Sequence, residues 1–147
     1  MSGPTRRIVA LLVAASLAPV HLPAPAGAYD DFFKAVEVDN ESGLRQLLLR
    51  GMDPNTRDPR GQHGLFLALR VGSPKVFRLL LEHPQIQVDA ANPVGETPLM
   101  MAALRADTDA MRALLARGAA VSLEGWSPLH YAASSPSAAP VRLLLEQ

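Results

Sequence analysis

The stretch that decides the fold is Gly95-Glu96-Thr97-Pro98-Leu99-Met100-Met101-Ala102-Ala103, in the second half of the 147-residue chain. Thr97 is a typical helix N-cap because its hydroxyl can accept a free backbone N–H, and the proline that follows suits the first helical position. Leu99, with alanines three and four residues later, forms a narrow apolar stripe that lets another helix approach closely. The stretch therefore predicts a turn followed by a short, closely packed helix.

The same pattern returns along the chain at a nearly constant interval. Its leading apolar residues, separated by 33, 34 and 30 positions, are Phe32, Leu65, Leu99 and Leu129. A second motif, an apolar residue followed three positions later by two leucines, keeps the same offsets and starts at Leu44, Phe77, Met111 and Val141. Two motifs that recur in step indicate an internal repeat, with two helices in each copy.

The ends of these helices have recognisable cap residues. Ser127 occupies the N-cap position in the last copy, where its hydroxyl is expected to accept a backbone N–H as that of Thr97 does. Gly51 and Gly118 follow the double-leucine motif, where a glycine takes positive φ at little cost and ends a helix. These caps predict that every helix is short and is followed by a turn.

Two segments between the helix pairs have the composition of tight turns. They read Arg57-Asp58-Pro59-Arg60-Gly61 and Ala91-Asn92-Pro93-Val94-Gly95, with Asx, Pro and Gly at the positions that turns prefer. The segment before Gly125 is shorter, so the third turn is expected to be stunted. The whole pattern predicts an all-α array of helix–turn–helix units.

Two copies resemble the ankyrin repeat closely. Thr97 begins Thr-Pro-Leu-x-x-Ala-Ala, and Leu114 begins Leu-Leu-x-x-Gly-Ala further along the same repeat. The resemblance covers the chain from residue 29 onward as four repeats, at about 29–57, 58–91, 92–121 and 122–147. It implies an all-α solenoid of four helix–turn–helix repeats joined by β-turn fingers. The first two copies depart from the motif, since neither has the Thr-Pro cap.

The first 28 residues have the pattern of an export signal. Arg6 and Arg7 precede the apolar run Ile8–Ala18, and the segment ends in Ala26-Gly27-Ala28. A basic start, an apolar core and a final Ala-x-Ala predict cleavage near Ala28. The run is shorter than the ~20 residues that span a bilayer, which argues against a membrane anchor. No second apolar run of that kind follows, so no membrane span is expected in 29–147. We predict a periplasmic or secreted protein, exported by the Sec or the twin-arginine route, that resembles signal-bearing ankyrin-repeat proteins of Gram-negative bacteria.

Composition argues against several classes of function. Basic and acidic residues both number 14, which does not favour a nucleic-acid partner, and there is no cysteine for a disulfide or thiolate site. No phosphate loop, nucleophile motif or metal-type histidine pair occurs, so no enzyme activity, cofactor or metal is predicted. His63 and His83 are expected on the surface. The resemblance implies that His130 hydrogen-bonds neighbouring loops.

The resemblance also places a binding site on the concave face, which the fingers and inner helices form together. The predicted protein-binding residues are Arg57, Arg60, Gln62, Arg70, Val94, Glu96, Leu104, Arg105 and Trp126. Arginine and tryptophan are enriched among the residues that dominate binding energies. For Trp126, packing across the short finger is an equal alternative to binding.

The leading interpretation is a non-catalytic module that binds an unidentified protein partner. The alternative is a structural subunit that self-associates through its last repeat. Val141 and Leu144 belong there to an ordinary internal motif, and the sequence reaches Gln147 without the polar outer face that terminal repeats need. Whether Gln147 is the natural end of the protein is left open.

Overall fold

The computed structural model describes residues 27–147, and within them the chain forms eight α-helices. In chain order the helices are α1 (Ala28–Glu37), α2 (Glu41–Leu49), α3 (Gly64–Val71), α4 (Pro74–Glu82), α5 (Pro98–Leu104), α6 (Thr108–Ala116), α7 (Pro128–Ala133) and α8 (Ala139–Leu145). None of these helices is long and apolar enough to cross a membrane. The predicted export signal lies outside the described residues except for its last two, and Ala28 is a buried residue in the first turn of α1.

The helices form two rows. α1, α3, α5 and α7 pack against one another in order and make the inner row, and each is paired with the helix that follows it in the chain. In the outer row α2 packs on α4 and α6 packs on α8, whereas α4 and α6 contact each other least. A cleft of about 440 Å³ opens between them beside Phe77 and Ala110. The predicted four helix–turn–helix repeats are therefore confirmed.

The apolar residue that leads each repeat packs against the next repeat. Phe32, Leu65 and Leu99 have no exposed surface, and the Phe32 ring lies directly beside Gly64 at the start of α3. Leu129, the fourth member of the series, is 39 % exposed because no helix pair follows it in the structure. Burial of one large side chain between each pair of repeats thus joins the array into a single core.

Most of the predicted caps are confirmed. The Thr97 hydroxyl accepts the Met100 N–H, and Gly51 and Gly118 have φ of 92° and 86° after α2 and α6. Ser127 occupies the predicted N-cap position of α7, where it forms a capping box with His130.

The imidazole of His130 is the second partner in this capping box. Its Nδ1 lies 2.9 Å from the Ser127 hydroxyl oxygen and accepts the Ser127 N–H at 3.1 Å. Ser127 therefore lies at the N-cap as predicted, and the His130 ring is a partner that the prediction did not include. A side chain at the third helical position that bonds back to the N-cap residue is the arrangement of a capping box.

Both predicted tight turns form the fingers of the array. In finger 1 the Gly61 N–H donates to the Asp58 carbonyl at 2.8 Å, and in finger 2 the Gly95 N–H donates to the Asn92 carbonyl at 2.9 Å. The side chains of Asp58 and Asn92 each accept two further backbone N–H groups of their own turn. No such backbone bond closes the segment between Val121 and Trp126, which confirms the stunted third finger.

The turn between inner and outer helices requires one left-handed residue in each of the first three repeats. The position is occupied by Asp39, Gly72 and Ala106, with φ of 53°, 81° and 56°. The Asp39 carboxylate accepts the Val76 N–H at 2.9 Å and so caps α4 of the next repeat. Pro136 holds the matching place in the fourth repeat, where its ring excludes positive φ, so that connection is built differently.

Ala106 has the left-handed conformation without a compensating bond from its side chain. The change Ala106→Gly is expected to raise the free energy of unfolding by about 1 kcal/mol, because glycine adopts positive φ without a Cβ clash. Urea denaturation measures the change. The matched control is Ala113→Gly in the middle of α6, which is expected to lower stability by about 1 kcal/mol. A loss of stability in both variants would contradict the prediction.

Candidate functional site

The concave face is the surface made by fingers 1 and 2 and the inner helices, and it contains two grooves. The larger one, called here the N-terminal groove, has a volume of about 690 Å³ and lies between α1, finger 1 and α3. The smaller one, called the Trp126 groove, has a volume of about 350 Å³ and lies between finger 2, α5 and the start of α7. The predicted site residues are distributed between these grooves and the fingers that separate them.

The N-terminal groove has an apolar floor and charged walls. Phe33, Leu67 and Val71 line it from the two inner helices. Its charged side chains are the basic Lys34, Arg60 and Arg70 and the acidic Asp30, Glu37 and Asp58. Sequence reasoning found Arg60 and Arg70 but missed the contribution of α1, because the first repeat lacks the motif that identifies groove positions.

The Trp126 groove is lined mainly by apolar and aromatic side chains. Val94 from finger 2, Leu104 from α5, and Trp126 all border it, as predicted for the concave face. Trp126 packs against the rings of His130 and Tyr131, with centroid distances of 5.4 and 6.1 Å, yet 68 % of its surface is exposed. The side chain therefore packs across the short finger and still presents a large apolar area to a partner.

The predicted arginines do not all have the same role. The Nη1 group of Arg57 donates hydrogen bonds to the carbonyls of Gly61 and Ala91, at 2.8 Å each, and so ties finger 1 to finger 2. The carbonyl of Arg57 in turn accepts the Tyr29 hydroxyl. Arg105 donates to the Arg70 carbonyl at 3.1 Å, which places those two arginines side by side on adjacent inner helices. Arg57 thus holds the fingers together, while Arg60 and Arg70 line the N-terminal groove.

Glu96 and Gln62 are half-buried in the fingers. The Glu96 carboxylate accepts hydrogen bonds from the Asn92 amide at 2.7 Å and the Tyr131 hydroxyl at 3.0 Å, linking finger 2 to α7. Partial burial is the main cause that raises the pKa of the Tyr131 phenol. The hydrogen bond to Glu96 and the negative charge of that carboxylate raise it further. The Gln62 side-chain oxygen is buried without a hydrogen-bond partner in the structure. Sequence reasoning missed Tyr131, although it directly follows His130, whose expected role was structural.

His63 is fully buried, so the prediction that it lies on the surface is wrong. Its Nδ1 accepts the Leu65 N–H at 3.2 Å and caps α3, and its Nε2 therefore donates to the Asn55 side-chain oxygen at 3.0 Å. Asn55 also bonds the backbone of Gln85 and Gln87 in the loop after α4. The imidazole is thus the centre of a network that joins the second repeat to the turns on both sides of it.

Burial of the imidazole has an electrostatic consequence. Desolvation, reinforced by the positive charge of Arg57 and partly opposed by Asp53, lowers the pKa of His63 from 6.5 to about 4. The ring is therefore neutral at physiological pH, as its role as an N-cap acceptor requires.

The two other histidines in the described residues also differ from expectation. His130 is exposed and bonds Ser127 of its own repeat, so the contact with neighbouring loops that the resemblance implied is not formed. His83 is half-buried at the end of α4, and its carbonyl accepts a hydrogen bond from Arg117 of the next repeat. Within residues 27–147 no three His, Cys, Asp or Glu side chains are grouped closely enough to hold a metal ion.

Comparison with known proteins gives one consistent result. The family model "Ankyrin repeats (3 copies)" matches residues 32–123 and again residues 86–147. The chain is similar to the human transient receptor potential cation channel subfamily A member 1, with 31 % identity over 114 residues that cover 76 % of the chain and 10 % of the channel. It is also similar to the tyrosine-protein kinase Shark of Drosophila melanogaster, with 36 % identity over 119 residues that cover 78 % of the chain and 13 % of the kinase.

A bacterial relative matches over a shorter stretch. A putative ankyrin repeat-containing protein of Treponema pallidum is 35 % identical over 86 residues, which cover 58 % of the chain and 27 % of the relative. The chain thus spans between a tenth and about a quarter of the length of these three relatives. The two matches to the family model together extend over nearly all of the described residues, on the same helix pairs and fingers. The chain belongs to the ankyrin-repeat family.

Proposed function

We propose that this protein is a non-catalytic binding module that is exported to the periplasm or beyond and that engages a protein partner through its concave face. Ankyrin repeats are generally protein-interaction modules without catalytic activity. The observation that carries the proposal is the exposure of Val94, at 80 %, and of Trp126, at 68 %, on either side of one groove. Large apolar side chains that border a groove together are typical of a binding surface.

The rigidity of the fingers supports the proposal. Each finger is closed by its own backbone bond and by an Asx side chain, and Arg57 links the two fingers. A surface that is already ordered loses little conformational entropy when a partner binds. The concave face is therefore suited to binding without a folding step.

Export rests on the pattern of the first 28 residues, a basic start with an apolar run and a final Ala-x-Ala. The observation that one relative comes from a bacterium is in keeping with it. Mass spectrometry of the protein in a periplasmic fraction tests this part of the proposal. A mature N terminus at Tyr29 is expected, and an uncleaved chain confined to the cytoplasm would contradict it.

The binding role is tested by affinity capture from an extract of the native host. Recovery of one specific protein is expected with the full chain. The double change Leu104→Ala/Trp126→Ala is expected to lower that recovery about ten-fold or more, because it removes two of the large apolar side chains that line the Trp126 groove. The control is Leu49→Ala, which truncates an exposed apolar residue at the end of the outer helix α2. Equal losses in both variants, or none in either, would contradict the proposed site.

A second candidate function, self-association, is favoured by the outer surface of the last repeat. Leu145 is 70 % exposed there, and Leu129 is partly exposed because no repeat covers it. A second copy that stacked on this surface would bury both leucines. Sedimentation equilibrium over a range of concentrations tests the idea, and a monomer at the highest concentration would exclude it.

A further inference from the structure

We propose that the segment of the partner that crosses the concave face is acidic, and that its carboxylates engage a row of three arginines, Arg60, Arg70 and Arg105. The inference rests on the proposed function, since it specifies the chemistry of the partner at the same face. The N-terminal groove and its border would then prefer a segment that has Asp and Glu side chains next to a large apolar side chain.

The three arginines are contiguous. Arg60, on finger 1, and Arg70, on α3, line the same groove. Arg105, which caps the C terminus of α5, donates its Nη1 hydrogen to the Arg70 carbonyl at 3.1 Å. The row therefore runs from the finger across two adjacent inner helices, the direction in which an extended peptide would cross the repeats.

The charges of this row are not neutralised within the described part of the chain. The two ion pairs found in residues 27–147 join Arg45 to Glu41 in α2, and Arg112 to Asp109 in α6, so both lie on outer helices. The nearest finger carboxylate, Asp58, already accepts the backbone N–H groups of Arg60 and Gln62. Neighbouring guanidinium groups repel each other unless an anion lies between them, and carboxylates bind guanidinium through paired hydrogen bonds.

The rest of the groove determines the kind of anion. The α1 wall carries Asp30 and Glu37 with Lys34 between them, which would repel a long polyanion such as a nucleic acid. The floor of Phe33, Leu67 and Val71 is apolar and accommodates a hydrophobic side chain. A peptide with a few carboxylates on one side of an apolar residue can pair with the arginines, place the apolar residue on the floor and avoid the acidic side chains of α1. We therefore assign the groove to an acidic protein segment.

The probe is a phage-displayed library of random dodecapeptides selected on the immobilised full chain. Enriched peptides are expected to contain more Asp and Glu than the starting library, together with at least one large apolar residue. The best peptide is then made with a fluorescent label, and its affinity is measured by anisotropy. Raising NaCl from about 50 to about 300 mM is expected to weaken binding, because salt screens contacts between exposed charges.

Variants locate the effect on the arginine row. Arg60→Glu/Arg70→Glu/Arg105→Glu is expected to weaken peptide binding about ten-fold or more, because each change puts a carboxylate against the peptide's own. The control, Arg50→Glu/Arg78→Glu/Arg142→Glu, makes the same change of net charge at exposed residues outside the concave face and is expected to keep the affinity. The triple lysine variant of the row keeps the charge but cannot form the paired hydrogen bonds, so its affinity is expected to lie between those of the wild type and the glutamate variant.

The other outcomes overturn the inference, and they do so in distinguishable ways. Enriched peptides without an excess of acidic residues, whose binding is still lost in Leu104→Ala/Trp126→Ala, would exclude the acidic partner and leave the proposed function standing. Equal loss in the control triple would show that only net charge matters. Tighter binding of a single-stranded oligonucleotide that depends on the same arginines would replace the peptide by a nucleic acid. A library from which nothing is enriched would contradict both the inference and the proposed function.

Discussion

Lowering the pH from about 7 to about 4 is expected to remove about 3 kcal/mol from the free energy of unfolding through His63 alone. The pKa of this imidazole is about 4 in the folded protein and 6.5 in an unfolded chain. Between these values the unfolded chain binds a proton that the folded protein does not, so acidification favours unfolding. The contribution is fully present above pH 6.5 and is lost as the pH falls toward 4.

The physical reason is the double role of the His63 ring. Its Nδ1 must be unprotonated to accept the Leu65 N–H at the start of α3, and the ring has no contact with water. Protonation in place would leave a buried charge and an uncapped helix, and this cost lowers the pKa of the imidazole in the folded protein. Among the three histidines in the described residues, this is the one that the fold buries completely.

Denaturant titrations at several pH values between 7 and 4 measure this contribution. The control is His63→Asn, whose side-chain oxygen can cap α3 without titrating, and which keeps all other ionisable groups of the protein. The wild type is expected to be the more stable protein at pH 7 and to lose about 3 kcal/mol more than the variant over the whole range. If both proteins lose the same free energy, the pH dependence belongs to other groups and the His63 prediction is wrong.

The change Gly64→Val is expected to lower the free energy of unfolding by about 3 kcal/mol. A Cβ atom at this position would lie 2.8 and 2.9 Å from two ring carbons of Phe32, with a methyl of Leu80 3.5 Å away on the other side. Phe32 is completely buried between the first and second repeats, so its ring has no space into which it can move. The clash is therefore expected to separate the two repeats. Thermal and urea denaturation measure the loss.

A double-mutant cycle with Phe32→Leu tests the cause. The smaller, flexible leucine leaves room for the added side chain, so Gly64→Val is expected to cost at least about 1 kcal/mol less in that background. Additive effects of the two changes would contradict the steric explanation. They would point instead to a cause outside the Phe32 contact, because valine has a higher helix propensity than glycine and propensity alone would not destabilise α3.

Much of the fold could be predicted because its determinants are local. Thr97 and Pro98 start a helix, Gly51 and Gly118 end two others, and the Asx-Pro-x-Gly segments close their own turns. Each of these features involves residues within a few positions of one another. Their recurrence at a constant offset predicted the number of repeats as well, because identical units stack in the same way.

The candidate site could be predicted only as a set of positions. The resemblance to the ankyrin repeat predicted Arg60, Arg70 and Trp126 as residues of one face, and the structure places each of them in a groove there. The resemblance did not reveal that Arg57 is engaged by the carbonyl of Ala91, or that Glu96 is held by Tyr131. These bonds join residues about one repeat apart, and no local sequence pattern predicts them.

By itself, then, the sequence determined the architecture of this protein: eight short helices in four repeats, fingers between the repeats, and a face that collects arginine and tryptophan side chains. The tertiary structure alone decided which of those groups are free to bind and which are parts of the framework. It buried His63, which the sequence placed on the surface, and left Leu129 exposed although its motif is that of a core residue. Burial and hydrogen bonding in a stacked array depend on the neighbouring repeat, whose contacting residues lie some thirty positions away along the chain.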